Sequence, residues 1–135
     1  MVDRADDRPE TTGSDQRPSR QMEAPSFQFR LADEFRTLME EPAWSTADRN
    51  ARTLVHEDGL RIMLLMLKAG ARIDEHQTRG WVSILVQHGR VRIGVHDETL
   101  EARGGDVIVL RHNVPHTVAA DEDSGLVLTF TAPVG

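Results

Sequence analysis

The chain has 135 residues, no cysteine, and a formal net charge of −6 from 22 acidic and 16 basic side chains. That length holds one domain of ordinary size, the acidic balance works against a phosphate backbone as partner, and the lack of thiols excludes disulfides, thiolate metal sites and a cysteine nucleophile. The longest apolar run, Ile62 to Leu67, is far shorter than the ~20 residues needed to span a bilayer, and the first residues are acidic and proline-containing where a secretory leader is apolar. The expectation is a cytoplasmic protein with neither a nucleic-acid nor a membrane partner.

Residues 1–26 read as a disordered tail. They carry six acidic and four basic side chains and three prolines, too little apolar surface to offset an ordering entropy of roughly 1–2 kcal/mol per residue. Residues 27–50 read as a short helix and a connector. Leu31, Phe35, Leu38 and Met39 fall at i, i+4, i+7 and i+8, which predicts one amphipathic helix of about ten residues, stopped by Pro42 and packed at the edge of the body.

From Ala51 to the end the pattern changes to strand-length runs cut by turn residues. Arg52–His56 leads through Asp58-Gly59 into Leu60–Leu67. Arg72–Gln77, Trp81–Gln87 and Arg90–His96 follow, then Asp106–Leu110, His116–Ala119 and Leu126–Thr131. Eight or nine strands, with no helix among them, predict an all-β sandwich or barrel rather than βαβ units. Val91, Ile93 and Val95 alternate with arginines, one wet face and one dry. Leu60–Leu67 and Trp81–Val86 are apolar on both faces, and a small barrel has one interior, so a homodimer is expected on those two strands.

The spacing of glycines and histidines resembles that of the cupin superfamily, over about residues 51–132. Gly70, five residues and His76, closed by Gly89, match the first family motif; Gly105 to Leu110, then Val114-Pro115-His116, match the second. The resemblance implies a double-stranded β-helix, the jelly-roll barrel of small cupins, commonly dimeric, with one short helix before it here. It also implies a divalent metal, Fe, Mn, Ni or Zn, held by two histidines and a glutamate of the first motif and a histidine of the second. Only His76 and His116 match those ligands. Thr78 stands at the second histidine, Val82 at the glutamate and Arg111 at the second motif's proline. A hydroxyl and a valine are poor ligands, so no cofactor is expected. Asp74, two residues before His76, is the one carboxylate placed to complete a two-histidine, one-carboxylate face.

The expected pocket is lined by His76, His116, Thr78, Val82, Ile84 and Arg111, mostly apolar with few polar groups, as small-molecule sites are. Arg111 and Arg79 could offer a carboxylate or phosphate a guanidinium fork. Two functions stay open: a binding or sensory module for a small-molecule ligand, favoured by Thr78 and Val82, and a metal-dependent dioxygenase, isomerase or epimerase, kept alive by the two histidines. Fold alone does not choose between them.

Overall fold

In a computed structural model, residues 24–133 are described; nearly all of the expected tail lies outside them. The helical stripe forms α1, Leu31–Glu40, and buries Phe35 and Leu38. Pro42 does not simply end the helical region. It stands in the first turn of a second short helix, α2, Pro42–Thr46, where its missing N–H would have had no partner in any case.

Nine strands follow: β1 Arg49–Glu57, β2 Leu60–Leu67, β3 Arg72–His76, β4 Val82–His88, β5 Arg90–Val95, β6 Glu98–Arg103, β7 Val107–Leu110, β8 His116–Ala120 and β9 Ser124–Thr131. They form two antiparallel sheets, one in the order β1-β2-β9-β4-β7 and the other β3-β8-β5-β6. The expected jelly roll is the observed fold. Between the sheets, Met63, Leu65, Leu67, Val82, Ile84, Val86, Val91, Ile93, Val118 and Leu126 make one buried core.

The outer face of the five-stranded sheet corrects one sequence expectation. Leu64 pairs with Val127, Val127 with Leu85, and Leu85 with Val107, giving an apolar row across four strands. At the β2 end of that row Leu64 is fully buried, together with Met66, Leu54 and Val55, beneath Phe35 and Leu38. A helix of the same chain therefore covers β2, and no second subunit is needed there. Each such Leu or Met contributes roughly 1.5–3 kcal/mol by leaving water. The helix is tied down by the Asn50 amide, which donates to the Leu38 carbonyl at 2.9 Å, and by a 2.9 Å ion pair between Arg52 and Glu34. At the other end of the row Val107 and its neighbour Val109 are 54% and 55% exposed. The helix covers half of this face and leaves β4 and β7 bare.

Two more residues pack near the helix. His88 ends β4 half-buried, its ring edge-on to Phe35 at 5.6 Å. A Cβ on Gly125 would collide with that ring, so only glycine lets the imidazole lie flat on β9. Trp44 packs with the same cluster, and the Lys68 ammonium lies 5.0 Å from its ring centre.

Candidate ligand-binding site

His76 ends β3 and His116 opens β8, and the register places them directly opposite each other. Their ring centres are 4.2 Å apart at a tilt of 58°. A shift of register between Ile73 and His76 makes this possible. One extra residue on β3 lets Ile73 and His76 both line the interior, which strict alternation forbids. The same bulge leaves the Asp74 side chain out: Asp74 is exposed and does not line the cavity. The loop before His116 is held by Asn113, whose N–H donates to the Thr78 carbonyl at 2.7 Å and whose φ of 61° is left-handed. Asparagine tolerates that conformation better than most side chains.

Each imidazole is oriented by a backbone carbonyl two residues before it. Nδ1 of His76 lies 3.0 Å from the Asp74 oxygen, and Nδ1 of His116 lies 3.0 Å from the Val114 oxygen. A carbonyl only accepts, so Nδ1 carries the proton in both rings, and each neutral ring keeps its lone pair on Nε2. The pair thus offers two acceptors rather than one donor and one acceptor. His76 is exposed, whereas His116 is 4% exposed. Burial pushes the His116 pKa below the ordinary histidine value; the Val114 carbonyl opposes that, and a charge on His76 would add to it.

The two rings cap a cavity of about 40 Å³, otherwise lined by Leu65, Ile73, Val82, Ile84, Val118, Leu126, Leu128 and Phe130. Of the residues expected here, His76, His116, Val82 and Ile84 come together. Thr78 does not: its hydroxyl donates to the Gly80 carbonyl at 2.8 Å, and it faces a different space. Arg111 is exposed, with its guanidinium 5.0 Å above the Trp81 ring. Sequence reasoning passed over Leu65, Ile73, Val118, Leu126, Leu128 and Phe130, although alternation along Leu126, Leu128 and Phe130 points those three inward.

The donor set does not fit the divalent ion that the fold family implies. A resident ion takes three or four protein ligands; here two imidazoles stand over apolar side chains, and no cluster of three His, Asp or Glu side chains able to hold a metal occurs among the described residues.

Beside this cavity opens a cleft of about 590 Å³ between the β1–β2 turn and the β3–β4 loop. Its walls include His56, Glu57, Arg61, Thr78, Arg79 and, again, Phe130. The Phe130 ring is the partition between the two spaces, and the Arg61 guanidinium rests on it 4.5 Å from its centre.

Residues 68–133 match the family model of the AraC-like ligand binding domain. No curated protein matches the chain. Among known structures, a conserved protein of unknown function from Streptococcus pyogenes is 27% identical over 67% of this chain and 79% of its own, with a TM-score of 0.62. A cupin superfamily protein from Desulfitobacterium hafniense is 18% identical over 62% of this chain and 77% of its own, TM-score 0.61. A salicylate 1,2-dioxygenase variant from Pseudoaminobacter salicylatoxidans superposes with a TM-score of 0.67 at 20% identity; 84% of this chain covers 41% of that enzyme. The chain has the fold of the small cupins. Residues 68–133, about half of the chain, carry the pattern of a ligand-binding domain, and no helix among the described residues is long and apolar enough to cross a membrane.

Proposed function

We propose that the protein is a small-molecule-binding module in which His76 and His116 grip the ligand directly, with no resident metal. The observation that carries this reading is the paired orientation of the rings. Both Nδ1 protons are committed to backbone carbonyls, so both Nε2 atoms face a ligand as acceptors. The matching ligand presents an O–H or N–H donor to them. A cavity of about 40 Å³ admits a group the size of a hydroxyl or an amine, not a whole organic molecule, for which sites of ~300–1,000 Å³ are usual. The rest of such a ligand stays outside this cavity, on the side where the His76 ring is exposed.

The protein acts as a homodimer in this reading, through the outer face of β4 and β7. Val107 and Val109 are exposed there beside the half-buried Leu85 and Trp81, and β7 is the edge of its sheet. A two-fold contact of that face with its own copy would bury the half that α1 leaves bare and close the edge.

The test is metal analysis of untagged protein, with melting temperature measured before and after chelator. The reading expects substoichiometric metal and an unchanged melting temperature. Near-stoichiometric iron, manganese, nickel or zinc, lost in both His76→Ala and His116→Ala, would overturn it in favour of a metalloenzyme.

A further inference from the structure

We propose that the rim cleft is a second, separate site, built for a small organic carboxylate. The proposal rests on the rim residues alone and stands or falls independently of the histidine pair. The cleft has a charge unlike that of the whole chain. Against a net charge of −6, its walls bring two guanidiniums, Arg61 and Arg79, to one carboxylate, Glu57. The excess of guanidinium over carboxylate there favours an anion over a cation or a neutral molecule.

The two arginines have different parts. Arg61 is stacked on the Phe130 ring at 4.5 Å, which fixes its plane and makes it a wall of the cleft. Arg79 lies in the β3–β4 loop, exposed, and makes no hydrogen bond or ion pair among the described residues. Its planar fork is the group left to take a carboxylate in two parallel hydrogen bonds. Below it, Leu60, Phe130, Ala132 and Pro133 supply an apolar floor for a short hydrocarbon body. The loop bearing Arg79 is anchored on both sides. Thr78 accepts the Asn113 N–H at its carbonyl, Trp81 accepts the Thr131 N–H at 3.1 Å, and Gly80 has no room for a side chain against the Thr131 and Ala132 carbonyls. The fork is presented from a fixed base, so less order has to be imposed on binding. The cleft therefore combines a head-group site, an apolar floor and a rigid rim, the features of a fatty or branched monocarboxylate site.

Hexanoate is the probe, with hexanamide as its uncharged isostere, titrated into ¹⁵N-labelled full-length protein. The expected result is saturable binding of hexanoate, with amide shifts at Gly59, Gly80 and Ala132, and markedly weaker binding of hexanamide. Arg79→Gln should weaken hexanoate about tenfold, as loss of a charge-assisted pair does, and Arg103→Gln, on exposed β6, should not change it. Absence of saturable hexanoate binding, equal binding of hexanamide, or an Arg79→Gln affinity equal to wild type would each overturn the proposal.

Discussion

Leu38→Ala is the substitution that separates a helix built into the fold from one resting at its edge. Leu38 is fully buried and packs with Phe35, Leu54, Leu64 and Met66, all 4% exposed or less. Leu→Ala at such a site costs about 2–5 kcal/mol, depending on how far the surroundings collapse into the cavity. The strands beneath cannot move, whereas a ten-residue surface helix can settle toward them, which argues for the middle of the range, about 3 kcal/mol. In a domain of this size that lowers the melting temperature by roughly 10–20 °C. Urea unfolding of wild type, Leu38→Ala and Met39→Ala measures it. Met39, at the solvent-side edge of the same stripe, is 47% exposed, and its loss should stay within about 0.5 kcal/mol. A Leu38→Ala protein as stable as wild type would refute the account of β2, and would return its outer face to a partner subunit.

Two further predictions concern charge and assembly. Because burial lowers the His116 pKa, the neutral ring contributes stability that is complete above the ordinary histidine value and is lost as pH falls through the depressed folded-state value. The stability difference between wild type and His116→Gln should therefore shift against wild type on acidification; a difference that holds constant with pH would contradict the burial. Sedimentation at micromolar concentration should show a dimer for wild type and a monomer for Val109→Glu, since a charge on the bare half of the sheet cannot be buried without a partner. A wild-type monomer would remove the β4–β7 interface.

Most of the fold could be read from the sequence, because its turns are marked by glycine and aspartate and its strands by alternation. β2 is placed with the observed ends, Leu60 and Leu67, and α1 with its observed face, Phe35 and Leu38. What covers a strand is not written in the strand. Leu60–Leu67 is apolar on both sides under a helix or under a second subunit alike, and only the packed structure shows α1 there. Pro42 was read as a stop because proline ends helices; the same missing N–H lets it begin one. At the site, motif spacing brought out His76 and His116 but could not place their neighbours. Alternation arithmetic assumes a regular pleat, and the single extra residue between Ile73 and His76 turns Asp74 outward and Ile73 inward. Thr78 and Arg111 sit just past strand ends, where alternation carries no information about direction. The carbonyls that fix the ring tautomers are backbone atoms, and nothing in residue identity announces them.

The central claim, that His76 and His116 present two bare Nε2 acceptors to a ligand with no metal between them, is tested most directly by ¹⁵N NMR of the histidine rings in untagged protein at mildly alkaline pH, with assignments from His76→Ala and His116→Ala. The account predicts that both rings are in the Nδ1–H tautomer, with Nε2 resonating as an unprotonated, uncoordinated nitrogen. A proton on Nε2 of either ring, or the resonance of a metal-coordinated nitrogen at both, would contradict it.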